Sequence, residues 1–475
     1  GHEHIPSSLL PGIGSHARSM DMFMAGLLIS FVLTLGLTIS ARRGSQSVKP
    51  SSVDFKRFQQ GFLTVYYIAM TADWLQGPYV YALYSSYGFS KHDIAVLFIG
   101  GFGASMVFGT FVGILSDKLG RKRSCIAYCV LYIISCCTKH AKDYNTLMLG
   151  RVTGGIATSL LFSAFESWMV CEHNARGYDA SLLGDTFSLM YFGNSLCAIV
   201  SGVVAQWAAD RQPLTRLGTG HWFYGGFCTP FDLSALCLVV SLLLIAPRWA
   251  ENYGDAAGGG LDASADARTL STKLLSPRIW LCGAVVSFFE GSMYIFVFNW
   301  TPTFSGGATP PPYGLIFASF MVACMGGSSL FTILSRQNSP DAIVRGLTLA
   351  AAAALAVPMV TGNKAAVLAA FLVFEGCVGL YWPAIGTVKS RIVPEEVRAT
   401  VYNLFRVPLN GVVVAVLLNN MDTATAFFWC SLMLGGGFAA SVMLHALPAR
   451  ERAAARGGLA DAEADDASLI AAREQ

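Results

Sequence analysis

The segment GILSDKLGRKR, Gly113 to Arg123, places five charged side chains between two apolar runs at about 94–116 and 124–139. Runs this long and this poor in charge are typical of membrane-spanning helices, so the segment is a short polar loop between two spans. Gly120 permits a tight turn there, and Asp117 can pair with Arg121 or Arg123 at the ends of the flanking helices. The segment therefore predicts two helices that leave and re-enter the membrane on the same side.

The rest of the chain has the same apolar character. Of 475 residues, 54% are hydrophobic and only 13% are charged, about half the charged fraction of an average soluble protein. The 12 cysteines lie almost entirely in apolar segments without a C-x-x-C pair, which indicates small core side chains and no metal site. The chain is thus an integral membrane protein, and runs this long exclude a single-span receptor and an outer-membrane barrel.

Thirteen apolar runs are long enough to be candidate spans. They lie at about 22–40, 58–87, 94–116, 124–139, 146–171, 182–208, 223–247, 278–301, 313–334, 342–360, 365–388, 399–420 and 424–447. The first run exceeds the apolar core of a signal peptide, and we interpret it as an extra leading helix. The fold class predicted is an all-α polytopic membrane protein.

The hydrophilic segment 248–276 divides the last twelve runs into two sets of six. The predicted parts are 1–57 (extra helix and basic linker), 58–247 (first bundle), 248–276 (interdomain loop), 277–447 (second bundle) and 448–475 (flexible tail). With the loop and tail in the cytoplasm, 23 of the 32 Lys and Arg residues lie inside, 7 outside and 2 within spans. The positive-inside rule favours this orientation, with the N-terminus outside.

The two sets of six spans are weakly similar. Asp73 in DWLQGPYVY corresponds to Glu290 in EGSMYIFVF at an offset of 217, and Asn194 corresponds to Asn410 at an offset of 216. The offset between LLFSAF and LYWPAI is 220. This agreement suggests a duplicated six-helix unit, and parallel repeats of this kind place the substrate at their interface near the bilayer midplane.

Ionisable residues inside spans are functional candidates, because each costs about 2.5–3.5 kcal/mol on insertion scales. They are Asp73, Glu166, Glu290, Glu375 and Arg406. Polar and aromatic side chains that could contact a substrate lie near them in sequence or in the spans beside them. These are Trp74, Gln76, Tyr79, Asn299, Trp300, Trp382, Asn403 and Asn410. Together these residues are the predicted substrate-binding set, although the ion pairing of a carboxylate with Arg406 could also serve only to lock helices together.

The loop segment resembles the G-x-L-x-D-x-x-G-R-[KR] motif of the major facilitator superfamily, which joins helices 2 and 3 of that fold. GRVTGG, Gly150 to Gly155, resembles the R-x-x-G-G element of family helix 4. The resemblance implies two six-helix bundles, a central cavity lined by helices 1, 4, 7 and 10 with all four carboxylates facing it, and a gating role for the loop. The gating residues it implies are Asp117, Gly120, Arg121, Arg123 and Arg151.

Longer segments are similar to the molybdate-anion transporter family within that superfamily. They are ADWLQGPYVY (72–81), LLFSAFESW (160–168), FVFNWTP (296–302), GLYWPAI (379–385) and NLFRVPLN (403–410). This resemblance implies uptake of molybdate across a membrane, expected to be the plasma membrane, by a monomer that works by alternating access. It adds no cofactor and no metal ion, and the sequence has no P-loop, G-x-S-x-G or H-E-x-x-H motif of an enzyme.

The residue chemistry alone leaves the substrate open. Arg406 offers a planar fork of donors suited to an oxyanion, but four carboxylates in one cavity would repel a dianion unless some are neutral and carry protons. A proton-coupled symporter of a sugar or another small organic solute fits the carboxylates, amides and tryptophans as well. A non-transporting receptor or scaffold is the third reading, and it gives no reason for Asp73, Glu290 and Arg406 near the midplane.

Overall fold

The computed structural model describes residues 11–42, 52–179, 181–254, 276–306, 310–393, 398–419 and 421–447. These residues are almost entirely helical. We number the helices α1 (Pro11–Arg42), α2 (Val53–Gln76), α3 (Val80–Ser86), α4 (Lys91–Leu119), α5 (Arg121–Thr138), α6 (Tyr144–Ala175), α7 (Ser181–Asp210), α8 (Thr229–Arg248), α9 (Pro277–Phe304), α10 (Tyr313–Leu334), α11 (Pro340–Val360), α12 (Lys364–Ile392), α13 (Arg398–Leu418) and α14 (Thr423–Leu447). Ten helices of the described part are long and apolar enough to cross a membrane.

Polar residues at the interhelical turns fix where several helices begin. Ser90 accepts a hydrogen bond from the backbone of Asp93, whose carboxylate accepts one from the Ser90 backbone in return, which is a capping box for α4. Asp143 at α6 and Asn363 at α12 are simple N-caps, in which a side-chain oxygen accepts hydrogen bonds from backbone N–H groups of the first turn. These caps satisfy donors that the first helical turn leaves unpaired.

The predicted run 58–87 is not one continuous helix. It forms α2 and α3, separated by a turn at Gly77, Pro78 and Tyr79. Pro78 lacks a backbone N–H, and its ring clashes with the carbonyl four residues earlier in a regular helix. The amide of Gly77 bonds instead to Trp74 O at 3.3 Å, and that of Tyr79 to Gln76 O at 3.3 Å. Broken backbone is tolerated at membrane depth where it is buried or lines a cavity.

The helices from α2 to α8 and those from α9 to α14 form two halves that meet along α7 and α10 and along α4 and α13. At the first contact the Gln206 side chain accepts hydrogen bonds from the Gly314 amide and from the Tyr79 hydroxyl, both at 2.9 Å. A two-strand hairpin, Thr215–Arg216 with Phe223–Tyr224, lies between α7 and α8. The segment 255–275 of the predicted interdomain loop and the tail 448–475 lie outside the described residues.

The extra leading helix α1 packs against α10 of the second half, although its chain continues into the first. Thr34 Oγ1 donates to Val322 O at 2.9 Å, and the hydroxyl oxygens of Thr38 and Ser329 lie 3.0 Å apart. Much of its remaining surface is apolar and exposed, including Ile29, as expected of a helix that faces lipid. The extra leading span α1 is therefore a peripheral helix that packs on the second half.

Candidate functional site

A cavity of about 540 Å³ lies between the two halves. Its walls come from α2 to α6 on one side and from α9, α12 and α13 on the other. The break after α2 contributes directly, because Gln76, Gly77 and Val80 all line the cavity. It is large enough for a small polar solute.

In the described part of the chain, two carboxylates line this cavity, one from each half, and each accepts a hydrogen bond from a tyrosine. Tyr132 of α5 donates to Asp73 of α2 at 2.5 Å, and Tyr381 of α12 donates to Glu290 of α9 at 3.0 Å. Asp73 and Glu290 are also the pair that the sequence repeat matched. The phenol donors stabilise charged carboxylates that would otherwise lie in a poorly solvated wall.

The other two carboxylates do not line the cavity, which corrects the expectation that all four face it. Glu166 lies eight residues beyond Thr158, the last α6 residue in the wall, which is about 12 Å along the helix axis. Its side chain is exposed. Glu375 is 6% exposed and packs within the second half, seven residues before Trp382. Helical rise thus moves both carboxylates past the ends of the wall.

The uncharged residues of the predicted substrate-binding set also include some that line the cavity and some that do not. Trp74, Gln76, Trp300, Trp382 and Asn410 line the cavity. Two of them already make hydrogen bonds within the first half, since Trp74 Nε1 donates to Asn194 at 2.8 Å and Gln76 Nε2 donates to Ser234 at 3.1 Å.

Tyr79 and Asn299 are buried outside the wall. Tyr79 donates to Gln206, and Asn299 Nδ2 donates to Ile295 O at 2.9 Å. Asn403 and Arg406 belong to the backbone of α13, but their side chains lie outside the described part of the structure. Their place in the substrate-binding set stays a prediction.

Among the described residues, three basic side chains line the cavity, and the sequence analysis identified only Arg151. Lys139 follows α5, Arg151 is on α6, and Lys389 is near the end of α12. Lys139 and Lys389 were missed because each lies at the end of an apolar run, where the sequence pattern cannot tell a buried side chain from one in a loop. The described lining residues include these three basic side chains and two carboxylates, Asp73 and Glu290. They therefore carry a formal excess of one positive charge.

Lys139 has an unusual environment for a charged side chain. It is 1% exposed, and its Nζ atom has no hydrogen-bond partner among the described residues. The Tyr84 ring centre is 5.7 Å from Nζ. The guanidinium carbon of Arg151 lies 4.7 Å from the ring centre of Phe98, and its Nε donates to Leu97 O at 3.1 Å.

The predicted gating loop is held within the first half. Asp117 pairs with Arg121 at 2.8 Å. The Glu251 carboxylate accepts hydrogen bonds from the backbone amides of Lys122 at 2.9 Å and Arg123 at 3.3 Å, which places an anion at the N-terminus of α5. Gly120 has φ +110°, a conformation that favours glycine. Arg151 is not part of this loop and lies in the cavity wall.

Contacts between the halves lie toward the end of the molecule that charge assigns to the outside. Lys91 Nζ donates to Met421 O at 2.7 Å, and the rings of Tyr81 and Phe298 are 5.3 Å apart. Lys389, near the opposite end of its helix, lines the same cavity. The cavity therefore extends from this closed end towards the predicted cytoplasmic side.

Known structures and sequences agree with this architecture. The crystal structure of a D-xylose-proton symporter superposes with a TM-score of 0.61 at 15% sequence identity, covering 83% of this chain and 97% of that one. A family model described as sugar transporters, 12 TM, matches residues 23–381. The fold and the cavity between two bundles define a transporter of the major facilitator superfamily.

Two relatives of known sequence identify the family within this superfamily. A molybdate-anion transporter from Xenopus tropicalis is 36% identical over 386 residues, which cover 79% of this chain and 82% of that protein. One from Xenopus laevis is 34% identical over 398 residues, covering 82% and 85%. The chain belongs to the molybdate-anion transporter family of the major facilitator superfamily.

Proposed function

We propose that this protein is a secondary active transporter that imports molybdate by alternating access. The observation that carries the proposal is a cavity between the halves whose described lining residues bear excess positive charge, in a chain related to molybdate-anion transporters. Molybdate is a tetrahedral dianion, so its binding needs fixed positive charge and several hydrogen-bond donors. Lys139, Arg151 and Lys389 would supply the charge, which removes the difficulty that four carboxylates posed.

We further propose that protons drive this transport. Moving a dianion into a cell with a negative interior opposes the membrane potential by about 2.3 kcal/mol per charge per 100 mV. Three protons moving with each dianion would reverse the sign of that cost. Asp73 and Glu290 are the candidate carriers, because a cavity carboxyl that is neutral when the dianion enters no longer repels it.

Alternating access would move the bundle 58–247 against the bundle 277–447. The interhalf contacts at Lys91 and Gln206 would open and a matching set near Lys389 would close. We propose that the loop around Asp117 controls this exchange, that the protein acts as a monomer, and that it resides in the plasma membrane.

Uptake by cells that lack their own molybdate importer tests this function. Cells expressing the protein should accumulate molybdenum above cells carrying an empty vector, and a protonophore should abolish the accumulation. Excess sulfate, which has the same charge and shape, serves as competitor, and an unlabelled pentose serves as a neutral control. Equal molybdenum in expressing and control cells, with the protein shown to be at the surface, would reject molybdate import.

A proton-coupled sugar symporter is the second candidate. The matching family model is described as sugar transporters, and Trp300 and Trp382 line the cavity with flat apolar rings that suit a sugar face. Uptake of a labelled pentose that molybdate does not inhibit would favour this candidate over the first.

A further inference from the structure

We infer that Lys139 and Arg151 form an anion-binding subsite in the first half, and that its ligand is the tetrahedral oxyanion substrate itself. This inference rests on the proposed function, because it assigns the substrate dianion to two named cations. Both residues line the cavity at the end away from Lys389.

The first argument is the state of Lys139. Burying an ammonium group without a partner is costly, because the interior solvates the charge poorly. Lys139 is 1% exposed and its Nζ atom bonds to no described residue, and none of the ion pairs among the described residues includes it. Lys139 is one of the residues of the cavity wall, so an anion bound in the cavity would offset this unpaired charge at short range.

The second argument is the position of Arg151. Lys139 Nζ would be 3.2 Å from a Cβ atom at Gly150, the residue before Arg151, and both Lys139 and Arg151 line the cavity. A Cβ atom at Gly101 would be 2.6 Å from Arg151 Nη2. Glycine at position 101 therefore leaves the space that the guanidinium group of Arg151 occupies.

The chemistry of the pair matches a tetrahedral dianion. Two positive charges balance its two negative charges, and the three donors of an ammonium group combine with the planar fork of a guanidinium group. Asp73 lines the same cavity but is paired with Tyr132, and the described ion pairs do not join it to either cation. The two cations are thus not neutralised by this carboxylate.

Binding of molybdate to the purified full-length protein, measured by calorimetry, tests the subsite. Lys139→Met keeps the length of the side chain and removes its charge, and Arg151→Gln removes the guanidinium fork. Each should raise the Kd for molybdate by at least about tenfold, the effect expected for the loss of a hydrogen bond to a charged group. Lys142→Met is the matched control, because Lys142 is exposed in the same turn, and its Kd should stay within about twofold of the unmodified protein.

Thermal unfolding separates this role from a structural one. Lys139→Met removes a buried unpaired charge, so the ligand-free variant should unfold at the same or a higher temperature than the unmodified protein. A lysine that only supports the fold would lower the unfolding temperature and leave the affinity of the remaining folded protein unchanged.

Two further results distinguish failure of the subsite from failure of the proposed function. If the unmodified protein binds molybdate and both variants bind it within about twofold, the subsite is wrong and the transport proposal stands. If the unmodified protein binds neither molybdate, tungstate nor sulfate, both proposals fail together.

Arg151→Gln by itself covers the case in which Lys139→Met does not fold, because the Arg151 side chain is only partly buried. A Kd for molybdate within about twofold of that of the unmodified protein would overturn the subsite.

Discussion

Tyr132 donates a 2.5 Å hydrogen bond to Asp73, which joins α5 to α2 in the wall of the cavity. The second half contains a related pair, in which Tyr381 of α12 donates to Glu290 of α9 at 3.0 Å. Each half thus presents one tyrosine-bound carboxylate to the space between them.

The first prediction concerns the two cavity carboxylates. If they carry protons, molybdate uptake should rise as the external pH falls from neutral to acidic, because neutral carboxyls do not repel the dianion. Asp73→Asn or Glu290→Gln should flatten this dependence and lower uptake against a gradient by at least about tenfold. Asp54→Asn, at an exposed position near the start of α2, should leave the pH profile unchanged. A steep profile that survives in both cavity variants would exclude these residues as the proton carriers.

The second prediction concerns the loop between α4 and α5. Asp117→Asn weakens the pair with Arg121, and the Asp117 carbonyl also accepts a hydrogen bond from Gly254 at 3.1 Å. We expect the maximal uptake rate to fall several-fold while the Kd for molybdate changes by less than about twofold, because the loop is far from the cavity. Glu172→Gln, which disrupts another i,i+4 pair, is the control. A large loss of affinity at an unchanged maximal rate would contradict a gating role for Asp117.

The third prediction concerns the contact between α7 and α10. A Cβ atom at Gly202 would lie 2.7 Å from Gly314 O and 2.9 Å from the Ala318 amide. Gly202→Leu should therefore push the halves apart at the closed end, since overpacking costs about 1–3 kcal/mol. Distances between spin labels on unnatural amino acids at His92 and Asp422, which flank the contact of Lys91 with Met421, should lengthen.

Gly184 provides the control for that experiment, since a Cβ atom there would meet nothing within 4 Å. Gly184→Leu lies on the same helix and should leave the label distance unchanged. Equal distances in the two variants would show that α7 and α10 do not hold the halves together.

The fourth prediction concerns stability at the predicted outer surface. His140 Nε2 lies 2.9 Å from Asp232, and this carboxylate raises the pKa of His140 from 6.5 to about 10. Because the folded protein holds this proton more tightly than the unfolded chain, the pair stabilises the fold fully below about pH 6.5. That stability is lost as the pH rises towards 10.

His140→Gln should therefore lower the unfolding temperature at neutral pH. Between neutral and alkaline pH, the unfolding temperature of this variant should fall less than that of the unmodified protein. Unfolding of the purified protein followed by intrinsic fluorescence measures both effects. His92→Gln changes an exposed histidine and should reproduce the unmodified pH profile. An identical profile for His140→Gln would remove this pair from the stability of the fold.

The sequence by itself determined the class of protein and its fold. Long apolar runs, the charged loop at Gly113 to Arg123 and the family segments required no tertiary information, because the length of a span and the identity of a motif are local properties of the chain. The offset of 217 between the two sets of six spans also identified Asp73 and Glu290 as a pair. Pro78 is visible in the sequence too, and it divides the run 58–87 into α2 and α3 because proline interrupts a regular helix.

Only the tertiary structure decided which side chains share one cavity. Glu166 and Glu375 lie on helices whose rise carries them beyond the wall, whereas Lys139 and Lys389, at the ends of apolar runs, line it. It also placed α1 against α10, far from its neighbour in sequence. The physical reason is that burial and charge balance depend on the depth and rotation of packed helices, which are set by contacts between distant residues rather than by the composition of any one span.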